Sequence, residues 1–157
     1  MPAYLCTRDR LLRLRRDGDA WTAETALEGE RLQCVAARDD TVLAGTLGAG
    51  ALLSRDAGET WERIALPESD VFSVAISAAD GALYAGTEPS RLFVARDGGA
   101  WAELALPSDA MPYALAALDG TLLCGMSDGR VLTSGDDGAT WDDAAAGDGT
   151  ILAIAAQ

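Results

Sequence analysis

Tryptophan occurs four times in this chain, at Trp21, Trp61, Trp101 and Trp141, and every interval is 40 residues. A spacing this regular means one structural unit copied head to tail. The fold then depends on what a unit of that length can be and how its copies stack.

The residues ahead of each tryptophan repeat too. SRDAGETW (54–61) and SGDDGATW (134–141) both read S-x-D-x-G-x-T-W, through Ser54, Asp56, Gly58, Thr60 and Trp61 and again through Ser134, Asp136, Gly138, Thr140 and Trp141. Two further copies are degenerate and one residue shorter: RRDGDAW (15–21), with Asp17 and Trp21, and ARDGGAW (95–101), with Asp97 and Trp101. Full and short copies alternate, which points to an older unit of about 80 residues.

Each repeat reads as four short strands. The first is small and apolar, as in LQCVAA (32–37), FSVAIS (72–77) and YALAAL (113–118). The second follows an Asp-Asp or Asp-Gly turn, as in TVLAGT (41–46), ALYAGT (82–87) and TLLCGM (121–126). The third is ALLSR (51–55), RLFVAR (91–96) or RVLTSG (130–135), and the fourth begins at the tryptophan. Four strands in about 40 residues is the length of one β-propeller blade. The expected fold is therefore all-β, a propeller of four-stranded antiparallel blades with four blades in one unit over 1–157. Blade 1 spans 4–30 and is completed by a C-terminal strand at 150–157, which has the character of a first strand. Blades 2, 3 and 4 span 31–69, 70–110 and 111–148.

S-x-D-x-G-x-T-W is the Asp-box, or bacterial neuraminidase repeat, and the sequence resembles Asp-box β-propellers along essentially its whole length. That superfamily includes sialidases, sortilin-type receptor domains, glycosidases and photosystem II assembly factors, so the resemblance implies a fold more than an activity. Chemically the motif reads as a turn. Asp56 and Asp136 can accept backbone N–H groups of a tight loop, Gly58 and Gly138 allow a positive φ, and Trp61 and Trp141 pack the loop onto its blade.

Composition narrows the partners. There are 25 Asp and Glu against 12 basic residues, all of them Arg, for a net charge of −13, and the chain has no His. This excludes His triads and His metal sites and argues against nucleic acid and anionic membranes. Arg-only basicity with excess carboxylate reads as halophilic. The melting temperature is expected to climb between low and molar salt as like-charge repulsion is screened; a flat melting temperature would contradict that reading. Cys6, Cys34 and Cys124 are odd in number and lack a CxxC pairing, so they read as free thiols in a reducing, cytoplasmic setting. No cofactor or metal is expected.

The resemblance to sialidases does not extend to their chemistry. Those enzymes need an arginine triad, a Tyr nucleophile with a Glu partner, and an Arg-Ile-Pro type segment. Tyr4, Tyr84 and Tyr113 fall in strand positions where packing explains them, and Arg63-Ile64-Ala65-Leu66-Pro67 matches Glu103-Leu104-Ala105-Leu106-Pro107 one repeat on. The expected role is a non-enzymatic binding or assembly scaffold. The alternatives are a glycoside hydrolase distantly related to sialidases, or a half-propeller folding unit without a ligand of its own. Loops 28–31, 68–71, 108–112 and 146–149 form the expected binding rim, where Glu30, Glu68, Asp70 and Asp109 favour a cationic ligand. Arg8, Arg10, Arg13, Arg15 and Arg16 crowd the first blade and read as charge balance at an edge rather than as an anion site.

Four blades need wedges of about 90° and eight need about 45°. With two Phe, three Tyr and many Ala, the chain suits flat packing. The expectation is an eight-bladed ring formed by a homodimer through exchanged terminal strands, with a self-closed four-bladed monomer as the competing form.

Overall fold

Alternation of apolar residues along strands that are buried on both sides stacks sheet on sheet here, because each strand has two faces to cover. The computed structural model describes residues 1–154, all β-strand and turn. Four antiparallel sheets follow in chain order. The first has three strands, β1 (Ala3–Cys6), β2 (Arg10–Asp17) and β3 (Ala20–Glu28). The second holds β4 (Leu32–Arg38), β5 (Thr41–Thr46), β6 (Ala51–Ser54) and β7 (Glu62–Ile64). The third holds β8 (Asp70–Ile76), β9 (Leu83–Glu88), β10 (Arg91–Ala95) and β11 (Ala102–Leu104). The fourth holds β12 (Pro112–Leu118), β13 (Thr121–Met126), β14 (Arg130–Ser134) and β15 (Asp142–Ala146). Strands neighbour each other in sequence order within every sheet, the meander of a propeller blade.

The period of two is visible in the seams. On β5, Val42 and Ala44 face the first sheet, in a cluster with Leu11 and Leu32, while Leu43 faces the third, beside Val74 and Leu83. On β9, Leu83 and Ala85 look back to the second sheet while Tyr84 looks forward to Leu115 and Leu132. Three clusters thus join blades 1 and 2, 2 and 3, and 3 and 4. Among the described residues no cluster joins blade 4 to blade 1.

Small residues bring neighbouring blades close. Gly45, Gly86 and Gly125 occupy equivalent places on the second strands, where a Cβ would strike the next inner segment at Val71, Pro112 and Ile151 respectively. Ile151 therefore stands to Gly125 as Val71 stands to Gly45. Its N–H donates to the Met126 carbonyl at 3.1 Å, and Thr150 Oγ1 donates to the Ser127 carbonyl at 2.8 Å. Residues 150–154 thus lie against blade 4, outside any sheet. The expected completing strand also takes in residues 155–157, which fall outside the described residues.

Both full motifs make the same turn. Asp56 Oδ1 accepts from the Thr60 N–H at 2.8 Å and Oδ2 from Thr60 Oγ1 at 2.6 Å, while Ser54 Oγ accepts from the Gly58 N–H at 2.8 Å and donates to Asp56 at 2.8 Å. Asp136, Thr140, Ser134 and Gly138 repeat the pattern at 2.8, 2.6, 2.7 and 2.8 Å. Hydrogen bonds from Thr60 and Thr140, with those from the serines, hold both carboxyls down to about 2. Ala57 and Asp137 carry φ of 57° and 60° inside these turns. The tryptophans reach farther than their own blade: Trp61 Nε1 donates to the Ala26 carbonyl at 2.9 Å and Trp141 Nε1 to that of Ala105 at 3.0 Å, each on the preceding blade. The degenerate copy at 95–101 keeps the two positive φ values, at Asp97 (52°) and Gly98 (69°), but its Trp101 Nε1 is buried without a partner among the described residues.

Candidate functional site

The inner strands carry one irregularity each. Pairing slips by a residue between Leu32 and Cys34, between Val71 and Ser73, and between Pro112 and Ala114. A bulge inserts one residue and re-aims its side chain, here Gln33, Phe72 and Tyr113. With Leu152, the residue after Ile151, they line a groove of about 360 Å³ on the concave side of the blades. The Phe72 and Tyr113 rings lie 5.1 Å apart and tilted by 36°, an attractive offset arrangement. Leu152 is 78% exposed.

Among the described residues no charged side chain lines this groove. Its remaining wall comes from Cys34, Ser73, Val74, Ala114, Leu115, Ala153 and Ile154. Ser73 Oγ is committed, donating to the Pro112 carbonyl at 2.5 Å. Burial pushes the Cys34 thiol up to about 12, and that of Cys124 likewise, so neither supplies a thiolate nucleophile. The surface can hold apolar and aromatic groups, and the Gln33 amide and the Tyr113 hydroxyl are polar handles in its lining.

The sequence-derived candidates fall elsewhere. The motif residues Ser54 to Trp61 and Ser134 to Trp141 sit in outer turns, on the far side of the blades from the groove. Asp17 and Trp21 lie at the outer edge of the first sheet, with Trp21 56% exposed, while Trp101 packs against the apolar cluster that joins blades 2 and 3. The acidic rim is partly neutralised: Glu30 pairs with Arg63, and Glu68 with Arg91 at 2.6 Å. That weakens the cationic-ligand expectation, leaving Asp70 and Asp109 as rim acids without an ion pair among the described residues. The first-blade arginines do more than balance charge. Arg13 is 4% exposed and donates to the Ala57 carbonyl at 2.6 Å, Glu24 at 2.8 Å and Glu59 at 2.7 Å. Arg15 joins Glu59 at 3.1 Å, so the pair fastens blade 1 to the motif turn of blade 2. Tyr84 is core and the Tyr4 hydroxyl donates to Ala57 at 2.9 Å. Tyr113 is the exception to the packing expectation, because its bulge turns it into the groove.

Among the described residues no three Cys, Asp or Glu side chains gather as a metal site, and no helix is long and apolar enough to cross a membrane.

No family model matches the chain, and no curated protein matches it. Solved structures do. YCF48 bound to D1 peptide is 23% identical with a TM-score of 0.62, over 71% of this chain and 38% of that one. The computationally designed Ika8 protein is 14% identical with a TM-score of 0.67, over 99% of this chain and 52% of that one. The GH74 enzyme of Niastella koreensis is 13% identical with a TM-score of 0.62, over 87% of this chain and 21% of that one. The likeness is one of fold. The chain is a β-propeller protein, spanning about half or less of the length of these structures.

Proposed function

We propose that this protein is a non-enzymatic Asp-box propeller serving as a binding scaffold, with the concave face as its ligand surface. The observation that carries the reading is the row of bulged residues. Packing alone gives no reason to turn an aromatic pair away from the seams into a groove, whereas recognition uses such anchors. The lining suits an extended peptide with apolar side chains, and Asp70 and Asp109 at the rim favour a basic residue beside them. YCF48 is a propeller with a bound peptide, and peptide binding is the ligand class carried over from it to this chain.

Selection of random peptides of roughly 12 residues against the full chain tests this. Enriched sequences are expected to pair an aromatic or branched aliphatic residue with Arg or Lys, and to lose about tenfold or more in affinity for a Phe72→Ser/Tyr113→Ser variant. Undiminished binding to that variant would overturn the placement. Turnover of fluorogenic glycosides that a single carboxylate substitution abolishes would overturn the non-enzymatic reading.

A further inference from the structure

The large apolar side chains that remain exposed among the described residues are Met1, Leu5, Trp21 and Leu152. All four lie at the two ends of the row of blades: Leu5 and Trp21 on the first sheet, Met1 just ahead of it, and Leu152 on the terminal segment against blade 4. At the internal seams the positions that match Leu5 are buried and the tryptophans that match Trp21 are partly covered. Strand pairing sets Leu5 against Leu12 and Ala3 against Leu14, as it sets Ala85 against Phe93 and Leu83 against Ala95 in the third sheet. Ala85 and Ala95 are buried on blade 2. Their counterparts Leu5 and Leu14 meet no blade among the described residues. Trp101 packs against the apolar cluster that joins blades 2 and 3, and Trp21, in the same phase, is 56% exposed.

Among the described residues the first sheet is also one strand short, with the edge of β1 unpaired. An open edge with an apolar face beside it is a template for a further strand. Residues 150–154 carry the corresponding inner-strand sequence, and Ile151 already holds the place of Val71 against its glycine. We propose that a second copy of this chain covers the first sheet, its segment 151–154 pairing with β1 in a defined register: Ile151 opposite Thr7, a bulge at Leu152, Ala153 opposite Cys6 and Ile154 opposite Leu5. The register is that of β8 on β9, where Val71 faces Thr87, the bulge falls at Phe72, Ser73 faces Gly86 and Val74 faces Ala85.

Reciprocal exchange gives a closed two-fold assembly with two identical seams and no incomplete blade, leaving only the short outer edges every blade has. The 80-residue alternation fits, since blade 4 meeting blade 1 of the second copy repeats the seam of blades 2 and 3. Coverage of 52% of the Ika8 chain at full coverage of this one places four such blades within a longer propeller. The ring would be lined by Gln33, Phe72, Tyr113 and Leu152 twice over, so each groove ends on the other chain. The inference does not depend on which ligand the groove takes.

Ala153→Cys tests the register, because Cys6 is already present and paired strands hold Cα atoms within disulfide reach. Oxidation of the full-length variant with diamide is expected to give mainly a covalent dimer on a non-reducing gel, abolished by adding Cys6→Ser. A monomer whose two thiols have been consumed would show self-closure and overturn the second copy. If both thiols stay free while circular dichroism remains that of the wild type, the pairing itself is overturned. Ile154→Cys with Leu5→Cys gives a second, independent reading of the register.

Discussion

Gly86→Val is expected to unfold the protein or to lower its stability by about 3–5 kcal/mol. A Cβ at this position would lie 2.6 Å from the Pro112 carbonyl oxygen and strike the Ser73 hydroxyl. Those two groups share a buried hydrogen bond of 2.5 Å that ties β8 to β12. Overpacking a core costs about 1–3 kcal/mol, and stranding a buried polar partner adds a similar amount. The obstacle is backbone and the blades are already close, so little can relax. Urea unfolding of Gly86→Val beside Gly135→Ala, a glycine with open space around it, makes the comparison. The control is expected within about 0.5 kcal/mol of wild type. A loss under about 1 kcal/mol for Gly86→Val would mean that the inner strands do not approach as described.

Arg13→Ala is expected to cost about 2–4 kcal/mol, and Arg13→Lys nearly as much. The guanidinium fork serves three acceptors on two blades, the Ala57 carbonyl and the carboxylates of Glu24 and Glu59. An ammonium cannot span them. Both carboxylates are half exposed and regain water when released, so most of the loss falls on the turn around Ala57, whose φ is 57°. Equal denaturation midpoints for Arg13→Lys and wild type would reduce Arg13 to a surface charge.

Strand positions could be read from the sequence because repetition supplies four versions of one pattern, and the seams follow from alternation. The groove was hidden for a related reason. Its residues are spaced by 39, 41 and 39, since each is an inserted residue in an otherwise regular strand, and a search in steps of 40 passes over them. Tyr113 therefore looked like one more packing tyrosine, although Phe72 one repeat earlier was a signal that it was not. Neither Arg63–Glu30 nor Arg91–Glu68 could be foreseen, because the partners stand 33 and 23 residues apart and meet only once blades are stacked. The arginine cluster's second role was hidden in the same way: two of its acceptors, the Ala57 carbonyl and Glu59, belong to the next blade.

Whether two chains share one ring is read most directly from absolute mass by light scattering on a sizing column, in molar salt where repulsion between acidic surfaces is screened. The open first sheet and the terminal segment docked on blade 4 predict twice the mass of the chain, unchanged on dilution through the micromolar range. A single-chain mass under those conditions, with the protein fully folded, would contradict the shared ring.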